Sequence, residues 1–470
     1  MGRTSSLRDS TWRLPSGPRA MASSQAVPRT SRIGVTSLRG PSNSGCNPLP
    51  VHPRGITRLP VTLLLAFGLT LIAATLLSAR AERSVLSMAV LFAAAGFLLG
   101  PGVAGIIGQH RDDNLTFRLT QAALFAVLFT DGMQAHVPHH RSAVLLPARA
   151  LLIGLPLTVA LNALVCRYVA GLAWAPAWLV AICLGPTDPV LASAIVGRRT
   201  VPRRLRSLLN VESGFNDGLA FPALAALLAI QRGGTSGLGK LGLELVGGLG
   251  IGIAIALSVV LLCRVRFLEA TEAYRPLLGF GAGVCVFATA VKTGGNEYLA
   301  AFAAGLTLAF TAGPLRKSFD RFNRSLAELL KLAALLMFGL LITPGLFVRT
   351  SLGGYAAAVL MLVAVRPLAL GVALARAGLD RREWITAAWF GPKGFASVVY
   401  GLLVLHSGVA GARPAASLIG VVVTMSIVAH SSTDVLIARW FEQKEGPKAD
   451  RPHPAAGEQA DDPDDSAAHA

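Results

Sequence analysis

The stretch WAPAWLVAICLGPTDPVLASAIVG, residues 174–197, decides how the rest of the chain reads. Its length and apolarity suit a membrane-crossing helix. Its centre, however, is Gly185-Pro186-Thr187-Asp188-Pro189. Each proline removes an N–H donor and clashes with the carbonyl one turn back, so an unbroken helix cannot form there. Broken backbone at bilayer depth is tolerated where it is buried in protein or lines a cavity. An Asp at a helix centre also costs about 2.5–3.5 kcal/mol on insertion scales. A structural kink would explain the break and leave the charge without a reason. An ion site explains both.

Outward from this stretch, apolar segments repeat along most of the 470 residues, of which 53% are hydrophobic and 14% charged. So little charge cannot cover a soluble protein of this size. The segments are 59–79, 84–108, 116–137, 143–165, 174–197, 205–230, 238–262, 274–292, 295–313, 326–347, 351–375, 383–407 and 414–438. They predict an all-α polytopic membrane protein with about 13 transmembrane helices over residues 58–440. Residues 1–57 are rich in Ser, Pro, Gly and Arg without apolar periodicity and are expected to be a disordered basic extension. Residues 441–470, charged and then acidic, are expected to be a disordered cytoplasmic tail. The five cysteines (Cys46, Cys166, Cys183, Cys263, Cys285) have neither paired nor metal-ligand spacing and read as packing residues.

The net charge of +18 would suggest nucleic acid in a soluble protein, but here the cations lie mainly in the N-terminal tail and short loops. One alternate set of loops holds 19 Arg and Lys, from Arg80 to Arg382, and the other holds eight, from Arg111 to Arg413. Positive loops stay in the cytoplasm, which puts the C terminus inside and the N terminus outside in a cytoplasmic (inner) membrane. The basic tail runs against this rule: either the tail is not made or the span count is off by one, and the loop alternation favours the first.

Two further segments carry polar groups where lipid should forbid them. Span 6 contains Glu212-Ser213-Gly214-Phe215-Asn216-Asp217. Asp217 lies about 15 Å deep at 1.5 Å per residue. Ser213 and Asp217, four apart, share a helix face, with Glu212 and Asn216 on the adjacent stripe. A hydroxyl, a carboxylate and an amide form a hard-oxygen set suited to a small monovalent cation. Span 12 contains Gly391-Pro392-Lys393-Gly394, a second interruption with a buried cation. Two interrupted helices in corresponding places of two halves point to a transporter site. Spans 4–6 and 11–13 would be inverted repeats whose discontinuous middle helices cross.

Other polar residues speak less clearly. Asp131, near the cytoplasmic end of span 3, reads as an ion-path residue. Arg366, before Pro367, reads as a structural ion-pair partner. Glu328 and Lys331, three apart, read as satisfying each other. His136, His139 and His140 sit beside Pro138 and read as solvated interfacial residues. Gly294-Gly295-Asn296-Glu297 reads as a tight turn.

These motifs resemble the monovalent cation:proton antiporters of the sodium/proton exchanger type. Thr187-Asp188-Pro189 resembles the signature of the family's unwound helix. Glu212-Ser213-x-x-Asn216-Asp217 resembles the next helix, whose Asn-Asp pair marks one branch. The run Asn296–Phe302 through Gly305 is similar to a third family segment, and Asp131 falls where the family often has an acid before Gly. The resemblance implies that Asp217 exchanges cation for proton. It implies that Asp188, Ser213 and the Thr187 carbonyl help bind the cation. It also implies that Glu212 pairs with a basic residue on span 12, here Lys393, and that the protein is a homodimer.

The expected activity is therefore secondary antiport of a monovalent cation (Na+, with K+ or Li+ as alternatives) for H+, with one carboxylate holding either ion. The expected partners are those ions and the lipid bilayer, with no nucleic acid and no cofactor. A cation channel would need a continuous filter, and an organic-solute permease would suit so small a hard-oxygen site poorly. An enzyme would need a nucleophile–base or metal-ligand pattern, and none stands out.

Overall fold

The computed structural model describes residues 58–81, 87–107, 113–134, 141–188, 201–233, 236–265, 267–268, 270–313 and 315–442. Residues 1–57, the second half of span 5, the cluster of His136, His139 and His140, and all but the first two residues of the tail 441–470 lie outside these.

All regular elements among the described residues are helices. In chain order they begin with α1 (Arg58–Ala81), α2 (Met88–Leu99), α3 (Asp113–Gln134) and α4 (Arg141–Arg149). A π-turn (Ala150–Gly154) then leads into α5 (Leu155–Tyr168), followed by α6 (Trp174–Cys183) and α7 (Arg203–Gly233). Next come α8 (Ser236–Cys263), α9 (Arg275–Thr293), α10 (Glu297–Thr311), α11 (Leu315–Leu341) and the short α12 (Pro344–Val348). Last are α13 (Leu352–Leu360), a second π-turn (Met361–Val365), α14 (Arg366–Ala373), α15 (Arg381–Trp389), α16 (Phe395–His406) and α17 (Ala412–Glu442).

Seven helical stretches are long and apolar enough to cross a membrane, among them Val61–Ser78, Gly237–Cys263 and Leu352–Ala373. Four shorter apolar helices (α2, α6, α10 and α16) add to them. Their outer faces carry exposed large side chains such as Leu64, Leu76, Leu243 and Val246, which lipid rather than water would cover. The chain is a multi-pass membrane protein. Helices α3 and α11 are as long, but Asp131 interrupts the apolar run of the first and Glu328 and Lys331 that of the second.

Two groups of helices matter to the site. In the first, α10 packs against α3 and α8, and α11 against α2 and α3. The α3–α10 crossing is close because both backbones present glycine. A Cβ on Gly132 would lie 2.6 Å from the Phe302 carbonyl oxygen. In the second group, α4–α7 and α13–α17 are built alike. Each begins with a helix carrying a π-turn, and each π-turn is followed within two residues by proline, Pro156 or Pro367. Proline leaves the carbonyl four residues back without a donor and crowds it. Widening the coil by one residue relieves that crowding. Helix α14 packs against the first π-turn and α5 against the second, so the two repeats interlock. The middle member of each repeat is interrupted. α6 ends at Cys183 and runs into extended chain through Asp188, and α15 and α16 are separated by extended residues 390–394.

Candidate functional site

The two breaks cross. The Asp188 N–H donates to the Pro392 carbonyl (2.9 Å), which ties the two extended bridges together. Each bridge then offsets the dipole of the other's half-helix. The Asp188 carboxylate accepts from the Phe395 N–H at the start of α16 (3.0 Å). The Lys393 ammonium donates to the Gly185 and Pro186 carbonyls beyond the end of α6 (3.3 Å each). Gly394 makes this possible, because a Cβ there would run into the Asp188 side chain.

Helix α7 passes beside the crossing and brings four polar residues to it. Glu212, Ser213, Asn216 and Asp217 are all buried, with Asp217 5% exposed. The Asn216 amide donates to the Thr187 hydroxyl (2.8 Å), and the Thr187 and Ser213 hydroxyls are 3.5 Å apart. The unwound chain and α7 therefore share one oxygen-rich wall. Tyr400 of α16 donates to the Asp217 backbone carbonyl (2.8 Å), which fixes that turn of α7 against the second break. Gly218 leaves room for the Phe302 ring of α10, whose atoms a Cβ would meet at 2.9–3.0 Å.

Among the described residues, the Asp217 Oδ1 and Asn216 Oδ1 oxygens have no hydrogen-bond partner. Buried acceptors are rarely left so, because the desolvation cost is about 1–3 kcal/mol and more for a charge. Asp131, Asp188, Lys331 and Lys393 all lie within electrostatic reach of Asp217. A carboxylate placed this way gains from taking up a positive charge, whether proton or metal cation.

The pairing of Glu212 with Lys393 needs correction. Glu212 is held by Arg366, Nη1 to Oε1 at 2.7 Å and Nη2 to Oε2 at 2.9 Å, with both side chains buried. Arg366 also donates from Nε to the Ala387 carbonyl (3.1 Å). The basic partner thus comes from α14, just after the second π-turn, and not from the interrupted helix. The guanidinium fork matches both carboxylate oxygens, which an ammonium cannot do. Lys393 is engaged with the α6 carbonyls instead.

Asp131 is half-buried on α3 and lies within electrostatic reach of Asp217. Lys331 has a larger place than its spacing from Glu328 suggests. It lines a small cavity with Asp188, Glu328, Gly394 and Phe395, and the charges of Asp131, Asp188, Glu328 and Asp217 all bear on it. An i, i+3 acid–base pair on one helix gave no sign of this, since the other acids come from α3, α7 and the α6 break. Tyr400 carried no signal in an apolar helix. Asn296 caps α10 through its side chain (2.9 Å), and Gly294 takes a left-handed turn (φ 74°), as a tight turn requires. Cys166 and Cys183 are free and buried, as packing residues would be, whereas Cys263 is half-buried and Cys285 exposed.

Comparison with known proteins places this geometry. The chain is 26% identical over 379 residues to the K(+)/H(+) antiporter NhaP of Alkalimonas amylolytica, covering 79% of this chain and 65% of that protein. It is 26% identical over 388 residues to the K(+)/H(+) antiporter NhaP2 of Shewanella sp. (strain MR-4), covering 79% and 66%. The chain thus spans less than two thirds of the length of these relatives, each of which is named as an antiporter. The fold is shared with the sodium proton antiporter MjNhaP1 from Methanocaldococcus jannaschii at pH 8. The TM-score is 0.65 at 17% identity, over 81% of this chain and 98% of that one. A family model described as "Sodium/hydrogen exchanger, transmembrane" matches residues 67–439. Since that match takes in both crossing breaks and the polar stripe of α7, the chain belongs to the transmembrane sodium/hydrogen exchanger family.

Proposed function

We propose that this protein is a secondary antiporter that exchanges a monovalent cation for H+ across the cytoplasmic (inner) membrane. The observation that carries this reading is the Asp217 carboxylate, buried, with one oxygen unpartnered among the described residues and two other acids acting on it. A proton and a metal cation each relieve that repulsion, and one carboxylate cannot hold both at full strength. Competition for a single site couples the two flows without ATP.

Asp188, the Thr187 carbonyl and hydroxyl, Ser213 and Asn216 supply the remaining oxygens for the cation. Asp131 lies on the ion path. Glu212, Arg366 and Lys393 support the site and do not touch the cargo. Rocking of the two interlocked repeats against the α2, α3, α8, α10 and α11 group exposes the site to each side in turn. The protein works as a homodimer; its N terminus lies outside and its C terminus in the cytoplasm, an orientation that the excess of Arg and Lys in one set of loops favours. It needs no cofactor.

The cargo is Na+, K+ or Li+; the relatives named here are called K+/H+ antiporters, and the structural relative a sodium proton antiporter. The test is purified protein in vesicles carrying a pH dye, with an imposed pH gradient and each cation added in turn. Wild type moves protons on addition of its cargo. Asp217→Asn, folded as judged by its elution profile, does not. Full exchange by Asp217→Asn would remove the role, and single-channel currents in place of saturable proton-coupled flux would make the protein a channel.

A further inference from the structure

The half-helix ends at the crossing are not all accounted for by Asp188 and Lys393. Asp188 caps the start of α16, and Lys393 caps the end of α6. The carbonyl end of α15, at Trp389, accepts the Gly391 N–H (2.9 Å) and has a side-chain partner as well. His430 lies on α17, 1% exposed, and its Nε2 is 3.1 Å from the Trp389 carbonyl oxygen. Its other ring nitrogen, Nδ1, is 2.9 Å from the Ser426 carbonyl oxygen and 3.1 Å from the Ser426 hydroxyl. That hydroxyl in turn accepts the Lys393 backbone N–H (2.7 Å).

Carbonyl oxygens only accept. A neutral imidazole has one N–H and one lone pair, while an imidazolium has two N–H donors. Either neutral tautomer therefore leaves one ring lone pair against a carbonyl; the imidazolium donates to both, and the Nε2–H tautomer is satisfied once the Ser426 hydroxyl donates to Nδ1. Opposing the charged form are first the burial of the ring and then the cations that face it. Among the described side chains these are Lys393 from the break and Arg366 from α14, the latter already paired with Glu212. The acceptors favour a charged ring, while burial and the neighbouring cations oppose it. A group held in that balance takes up and releases its proton as pH changes.

We propose that His430 is a proton-binding site separate from Asp217, whose imidazolium caps the carbonyl end of α15 and whose proton loss alters the second helix break. When the proton leaves, Nε2–H keeps the Trp389 carbonyl and Nδ1 becomes an acceptor. The Ser426 hydroxyl then turns to donate to Nδ1. Because that same hydroxyl holds the Lys393 N–H, the change reaches the residue that caps α6. The regulatory part of this proposal rests on the antiport reading above; the proton site itself does not.

The experiment is nitrogen NMR on protein with 15N-labelled histidine in lipid nanodiscs, titrated over about pH 5–9. The His430 signals are assigned by their loss in His430→Gln or, should that variant not fold, by their shift in Ser426→Ala. The expected result is two protonated ring nitrogens at the acid end and one at the alkaline end. A single neutral tautomer throughout, or an imidazolium throughout, overturns the proposal. In the vesicle assay, His430→Gln mimics the neutral ring, since its amide can donate to Trp389 and accept from Ser426. Its exchange rate should match wild type at the alkaline end and differ by about threefold or more at the acid end, equivalent to half a pH unit. A profile parallel to wild type at every pH overturns the regulatory part. If wild type itself exchanges nothing, the antiport reading fails while the titration still decides the proton site.

Discussion

Removing either partner of the Glu212–Arg366 pair should destabilise the protein far more than removing both. Each side chain is buried, and the pair is bidentate at 2.7 and 2.9 Å. Taking away one member leaves the other charge buried and uncompensated, at about 3–5 kcal/mol. Glu212→Leu should fall in that range. Arg366→Met should lie at its upper end, because the Ala387 carbonyl also loses its donor, worth about 1 kcal/mol. In the double variant no charge is stranded. Replacing a buried ion pair by apolar groups of similar volume is often near neutral. Only the Ala387 carbonyl is then left short, so the expected cost is about 1–2 kcal/mol, well below the sum of the single costs. Reversible unfolding in mixed micelles titrated with SDS reads this directly, with Trp389 in α15 as a nearby fluorophore. Strictly additive costs, or single variants within about 1 kcal/mol of wild type, would refute the view that this pair is the buried fastening between α7 and α14.

Three further outcomes follow from the same geometry. Gly394→Ala sets a Cβ into the Asp188 side chain and should reduce exchange at least about tenfold, whereas Gly214→Ala, which meets nothing within 4 Å, should be stabilising by up to about 1 kcal/mol; equal rates in the vesicle assay would count against the crossing. Lys393→Ala removes both caps on the α6 end, each about 1.5–3 kcal/mol, and should abolish exchange, while Lys393→Arg retains part of it; an Ala variant with normal thermal stability and rate would show the caps to be idle. Lys331→Gln removes a tethered cation from among four acids and should lower the KM for the transported cation severalfold, roughly 1 kcal/mol in binding; an unchanged KM would mean that Lys331 does not compete with the cargo.

The interrupted helices were legible because proline and glycine act locally. Pro186 and Pro392 each stand beside glycine and within two residues of a charge, a combination that an unbroken apolar helix does not accommodate, so both breaks could be placed to within a few residues. The stripe on α7 was legible for a similar reason, since a 3.6-residue period fixes which side chains share a face. What could not be read was which distant partner each charge meets. Arg366 stood out as a buried cation beside a proline, but nothing in the order of residues says that α14 rather than α15 faces Glu212. Lys331 was set aside because Glu328 lies on the same helix face, while the acids that matter to it arrive from other elements. His430 gave no signal, because its acceptors are backbone carbonyls and backbone carries no sequence signal. The π-turns left only their prolines as a trace, at 156 and 367.

Those π-turns have a geometric consequence. Fitting one extra residue into a coil advances everything after it by a single residue's turn, about 100° around the helix axis. Arg366 is the first residue past the second π-turn, so its azimuth toward Glu212 is set by that added residue. Were the coil to tighten to ordinary pitch, the guanidinium would swing out of register with the carboxylate. The bulge works as an indexing notch that aims the fork, and the proline behind it keeps the notch from closing.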